Sequence, residues 1–185
     1  MSSPLPPGQR ELVRLPVHHI GDPPLTDSEG WTLAIQGELE RPVVLTLAHL
    51  RQLSTVEIEA DFHAADGWSV RGLQWRGVRL ADVLGPAKPL ASAKFLRAFD
   101  GQKYDASLAF DDALEPDVLL ATGLGGAVLP IEHGGPLRLV VPARYGWKSV
   151  KWLRGIEITA EERPGFWERR GFHRRGDPWA DERLA

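Results

Sequence analysis

Apolar and polar residues alternate with a period of two in three places along the chain, the mark of strands with one buried face. Trp31, Leu33 and Ile35 alternate with Thr32, Ala34 and Gln36; Val56, Ile58 and Ala60 with Thr55, Glu57 and Glu59; Leu96 and Ala98 with Phe95, Arg97 and Phe99. Between the first two, Pro42–Leu45 leads to Thr46, which is placed to cap a short helix through Leu53. Trp75–Val83 reads as a turn into a helix with Leu80, Val83 and Leu84 inward, stopped at Gly85-Pro86. Asp100-Gly101 marks a hairpin whose return strand is 105–110, followed by one helical turn from Asp111 to Ala113 and a short apolar element, Val118–Ala121. Gly123-Leu124-Gly125-Gly126 has two of the glycines of a dinucleotide loop, but the third position is Val128 and no βαβ unit surrounds it. A tight hairpin is the better account.

One apolar run breaks the pattern informatively. Leu137–Val141 carries Arg138 in its midst, and an unpaired guanidinium taken out of water costs several kcal/mol. An anionic group is expected to meet it. The following loop adds Arg144, Lys148 and Lys151 around Tyr145-Gly146-Trp147, with Ser149 between the lysines, a donor set suited to an oxyanion such as a phosphate. A core strand followed by a solvated basic loop is the other account of the same residues.

Composition narrows the chemistry. With 185 residues and 43% apolar content the chain is long enough for one well-buried core. Its 22 basic and 25 acidic side chains give no general attraction to nucleic acid or to an anionic membrane. Cysteine is absent, which excludes disulfides, thiolate zinc sites and iron–sulfur clusters within this chain. No run reaches the ~18 apolar residues of a membrane span, and the first residues lack an apolar signal-peptide core, so a soluble cytoplasmic protein is expected. Met1–Arg10, rich in proline and serine, is expected to be a mobile arm, with residues 11–185 as a single domain. His18 and His19 point apart in an extended chain and so do not make a metal pair. The tail interleaves six arginines with Phe166, Trp167, Phe172 and Trp179, but six carboxylates share the window. Its rings are expected to pack on the body while the arginines pair locally.

The segment HGGPLRLVVPARYGWKSVKW resembles the cofactor-binding stretch of the sulfite oxidase family of molybdopterin-dependent oxidoreductases. Further blocks resemble the family in order: WTLAIQGELERPVVLTLAHL, DFHAADGWS followed by WRGVRLADVL, LEPDVLLA, and PGFWERRGFHRRGDPW. The likeness covers about Leu12 to the C-terminus and is greatest to the short single-domain bacterial members. It implies an α+β, mainly β, mixed-sheet fold around a molybdopterin pocket, and oxygen-atom transfer where the metal is competent. It implies that His63, His133, Arg138, Lys148, Ser149, Val150 and Lys151 fall in cofactor-contacting positions, with the phosphate near Arg138 and residues 149–151. It also implies an arm over the pocket, to which Arg14 or His18 could contribute, a cofactor contact around Asp100, and a separate electron-transfer partner.

The loop His63–Ser69 departs from the family at one place. Where the family puts the cysteine whose thiolate bonds molybdenum, this chain has Ala64. A methyl group cannot ligate a metal. Three readings are open: Asp66 supplies an oxygen ligand, the metal is held by the pterin dithiolene with water or oxo groups, or the site has lost redox chemistry and the protein binds or carries the cofactor, or is a cofactor-free interaction domain.

Overall fold

The computed structural model describes residues 4–25 and 30–185. In chain order the elements are β1 (Arg10–Glu11), β2 (Thr32–Gly37), β3 (Val43–Thr46), α1 (Leu47–Gln52), β4 (Val56–His63), β5 (Trp68–Arg79), α2 (Leu80–Ala87), β6 (Phe95–Phe99), β7 (Asp105–Ala109), α3 (Phe110–Ala113), β8 (Leu119–Leu124), β9 (Ala127–Val128), β10 (Arg138–Val140) and β11 (Gly155–Thr159). They form two mixed sheets. One runs β3-β2-β11-β6-β7; the other runs β1-β5-β8-β10, with β4 beside β5 and β9 beside β8. Met1–Ser3, part of the segment expected to be an arm, lie outside the described residues.

The period-two runs become strands as their patterns predict. Leu33, Ile35, Leu96, Ala98, Ile156 and Ile158 meet in one core with Leu80, Val83 and Leu84 of α2. Thr46 caps α1, and the reciprocal hydrogen bond comes from His49, whose ring Nδ1 accepts the Thr46 N–H in place of the usual acidic or amide side chain. Gly125 and Gly126 both take positive φ, +61° and +78°, as the turn between β8 and β9 requires.

Two boundaries differ from expectation. Trp75–Arg79 is not a turn into the helix but the last five residues of β5, because Gly77 lets β8 close in: a Cβ there would lie 2.3 Å from the Leu120 carbonyl oxygen. Helix α2 also runs past Gly85-Pro86 to Ala87 and ends on Lys88 in the left-handed region at φ 53°. A proline so near the end removes only one intrahelical bond.

Strand β10 sorts its side chains onto opposite faces. Leu137, Leu139 and Val141 face the main core, while Arg138 and Val140 face the other side with Trp75 and Leu119. Arg138 is 3% exposed, with its guanidinium carbon 5.1 Å from the Phe62 ring centre and 5.4 Å from that of Trp75. Aromatic faces cushion a buried cation without neutralising it.

The tail runs back along the body. Phe172 meets Trp147 edge to face, and Trp167 packs on Phe172. Arg163, Arg169, Arg174, Arg175 and Arg183 each have a carboxylate within 4 Å. Trp179, at 55%, is the exposed ring of the set.

Candidate functional site

A cavity of about 530 Å³ opens where the β4–β5 sheet, the β6–β7 turn, the loop after β10, the arm around 15–20 and the tail converge. That volume suits a small-molecule or cofactor ligand. Its wall is mostly carbon: Phe62, Trp68, Trp147, Trp152, Trp167 and Phe172 all line it.

Arg138 and Lys151 line it together. The Arg138 Nη1 donates to the His133 carbonyl at 2.9 Å, its Nε is buried without a partner, and among the described residues no carboxylate pairs with it. Burial pushes its pKa down to about 10, so it remains a cation at neutral pH. Lys151 donates to the Glu132 carbonyl at 2.6 Å. Burial first, and the Arg138 charge second, bring its pKa down to about 7. Ser149, also in the wall, accepts the Val141 N–H with its hydroxyl oxygen at 3.0 Å, leaving its own proton free to donate. Trp152, directly after Lys151, takes a left-handed backbone at φ 52°, held by its N–H on the Gly134 carbonyl and its indole on that of Ile131. A bulky residue in that region costs of order 1–3 kcal/mol and is found where a site over-determines the chain.

Across from these cations stands the β6–β7 turn. Asp100 Oδ1 accepts the backbone N–H groups of Gln102, Lys103 and Tyr104, while its Oδ2 is buried without a partner. The Tyr104 hydroxyl donates to the Trp147 carbonyl at 2.6 Å, tying this turn to the basic loop. Burial, with the Glu168 charge behind it, raises the Tyr104 pKa well above its ordinary value, so it stays a neutral donor.

The remaining end is built by the loop after β4. Ala64 is buried, lines the cavity, and donates its N–H to the Trp68 carbonyl at 2.8 Å. Asp66 lines the rim with a side chain 58% exposed, 3.7 Å from His18 Nδ1. Both chain ends hold this loop: Gln9 donates from Nε2 to the Ala64 carbonyl at 3.0 Å, and Arg10 and Glu11 pair in parallel with Trp68 and Ser69. Arg183 donates from Nη2 to the Pro7 carbonyl at 2.8 Å.

The other expected contacts are distributed differently. His63 is buried behind the loop rather than in the cavity wall. Its Nδ1 lies 2.8 Å from the Ser69 hydroxyl, which gives its own proton to Gln9 Oε1, so His63 carries its proton on Nδ1. Burial lowers its pKa. His133 offers its carbonyl to Arg138 and keeps a buried Nδ1 without a partner; burial, then Lys151, lowers its pKa too. Val150 puts its side chain into the main core, and its carbonyl accepts the Leu139 N–H at 2.9 Å. Lys148 is fully buried away from the cavity. Its ammonium donates to Glu168, to the Arg174 carbonyl and to the Ser107 carbonyl, which leaves no proton for a ligand. Gln9, Tyr104 and Arg183, unmarked by any motif, complete the site.

The model of the oxidoreductase molybdopterin binding domain matches residues 19–167. The chain belongs to that family. The cofactor of that family is molybdopterin, and the fold is the sulfite-oxidase-type one. The chain is 39% identical over 182 residues to the uncharacterized oxidoreductase YuiH of Bacillus subtilis, covering 98% of this chain and 92% of that one. It is 31% identical over 159 residues to the catalytic subunit MsrP of the protein-methionine-sulfoxide reductase of Campylobacter jejuni, covering 77% of this chain and 53% of that one. Among solved structures, the sulfane dehydrogenase SoxCD of Paracoccus pantotrophus superposes with a TM-score of 0.68 at 25% identity, covering 75% of this chain and 40% of that one. No helix among the described residues is long and apolar enough to cross a membrane.

Proposed function

We propose that the molybdopterin of this domain lies with its phosphate against Arg138, Lys151 and Ser149, its heterocycle toward Asp100 and Tyr104, and its metal end beside Ala64. The observation that carries this is Arg138: a cavity-lining guanidinium, nine-tenths buried, with an orphaned Nε and no carboxylate partner. Such a cation costs several kcal/mol unless an anion joins it. Asp100 Oδ2 is the complementary case, a buried acceptor that a ring N–H or amino group would satisfy.

The organic part of the cofactor fits these residues, but a side-chain bond to the metal does not. Ala64 has no donor atom, and the described residues hold no cluster of three or more histidine, cysteine, aspartate or glutamate side chains suited to a metal. Asp66 stands at the rim facing His18. We therefore assign the metal to the dithiolene and small exchangeable ligands, and Asp66 to the rim. When bound, the group supplies two-electron oxygen-atom transfer. The protein's own residues bind and orient it: Arg138 and Lys151 fix the phosphate, aromatic walls exclude water, and the Gln9–Ser69–His63 chain holds the loop.

The test is metal and pterin analysis of protein purified from a host that makes the cofactor, alongside Arg138→Ala. One molybdopterin per chain is expected in the parent. In the variant, loss of a charge-assisted contact worth ~1.5–3 kcal/mol should weaken retention roughly ten- to a hundredfold. Unchanged pterin content in the variant would remove the phosphate assignment.

A further inference from the structure

We propose that the end of the cavity beside Ala64 takes an uncharged, carbon-rich organic substrate and turns away small oxyanions, a step that rests on the cofactor lying as assigned above.

Arg138 lies over the Phe62 ring at 5.1 Å and lines the cavity with Lys151, and in the assignment above the cofactor phosphate answers both. The other aspartate, glutamate, lysine and arginine side chains in the wall are Asp66, Asp100 and Arg183. The guanidinium of Arg183 already has its counter-charge: Nε donates to Asp181 Oδ1 at 2.7 Å and also to the Tyr145 hydroxyl at 3.2 Å. Its Nη2 is on the Pro7 carbonyl at 2.8 Å, and a Cβ on Gly8 would lie 2.5 Å from that same nitrogen, so the group is wedged against the chain's first turn. Asp66 adds a carboxylate to the rim. An oxyanion entering here would leave its hydration shell for a neutralised guanidinium and a like charge, a poor exchange.

Carbon surface supplies the other half of the case. Leu15, Phe62 and Trp68 pack around Ala64, and the Phe62 and Trp68 rings are stacked at 6.1 Å with planes 22° apart. His18 closes edge-on over Trp68 at 5.8 Å, so the indole is covered by a ring on the rim side. A flat aromatic wall beside a small methyl side chain rewards a ligand in proportion to the apolar area it buries.

The experiment uses two sulfur–oxygen compounds that differ in charge and carbon content: methyl phenyl sulfoxide and sulfite, each titrated into cofactor-loaded protein by calorimetry. The sulfoxide should bind at least about tenfold more tightly, and it should move the Trp68 indole N–H resonance, identified by its absence in Trp68→Phe. Asp66→Asn should improve sulfite binding several-fold and leave the sulfoxide unchanged. Sulfite binding as tightly as the sulfoxide, or sulfite binding that Arg183→Gln abolishes, would overturn the proposal while the cofactor assignment stands. A protein that carries no pterin would sink both.

Discussion

Two cations facing one cavity without a carboxylate between them cannot both be comfortable, and Lys151 yields first. Its pKa, about 7 rather than 10.5, means that its proton is half lost near neutrality until an anion arrives. A bound phosphate raises that pKa again, so binding takes up a proton between the two values. Affinity for the pterin phosphate, or for a simple phosphate monoester, should be highest below about pH 7 and fall as pH rises above it, by at most about tenfold per unit. The second ionisation of a phosphate, near pH ~6, is complete by then and cannot offset the fall. Calorimetry from about pH 6.5 to about pH 9 checks this: a sloping profile in the parent and a flat one in Lys151→Met. A flat profile in both would detach Lys151 from the anion. Ala64 invites the converse test. Its loop is held by Gln9 and by β1 whatever its side chain is, so Ala64→Cys should place a sulfur in the wall and give a cofactor-loaded protein a thiolate-to-molybdenum absorption band that the parent lacks. Absence of that band in loaded variant would mean that residue 64 does not face the metal. At this scale the sequence was readable where a residue contradicted its neighbours. Arg138 stood out because it interrupts an apolar run. Lys148 misled because its answer, Glu168, lies twenty residues along and only folding brings the two together.

Elements transmit these placements to one another. Lys148 and Glu168 pin the tail to the body, and both side chains are 0% exposed. Removing one partner strands the other charge in the interior, which costs ~3–5 kcal/mol. Glu168→Ala should therefore lower the thermal midpoint by roughly 6–20 °C or prevent folding, and the double change Glu168→Leu with Lys148→Met should recover much of the loss. Recovery of nothing by the double variant would mean that the pair acts through something other than buried charge. Strand β5 depends likewise on Gly77, where the 2.3 Å approach of the Leu120 carbonyl leaves no room for a methyl group. Gly77→Ala should cost at least ~2 kcal/mol in a denaturant titration. The length of β5 was hidden in the sequence because its second half is interrupted by Gln74 and Arg76 and runs straight into α2. β1 was hidden for a simpler reason. Two polar residues, Arg10 and Glu11, have no periodicity to show, and they become a strand only because the Gly67 and Ser69 carbonyls accept the N–H groups of Arg10 and Leu12.

For the whole molecule, the two-sheet architecture followed from local alternation, whereas the cavity did not. Its wall draws on Leu15, Phe62, Asp100, Arg138, Trp152 and Leu184, spread over nearly the full chain, and no local pattern encodes such a meeting. The hydrogen bond from Arg183 to the Pro7 carbonyl brings the beginning and the end of the described chain together at that wall. Continuity of the backbone is therefore arbitrary here: a short linker could join the chain near Pro7 to the chain near Arg183, and new ends could be cut at Gly125-Gly126, an exposed turn where a Cβ would meet nothing within 4 Å. A circular permutant opened there should fold and take up molybdopterin as the parent does. By the same geometry, Pro7 and Arg183 meet beside the cavity wall, and the permutant moves the free ends from there to the β8–β9 turn.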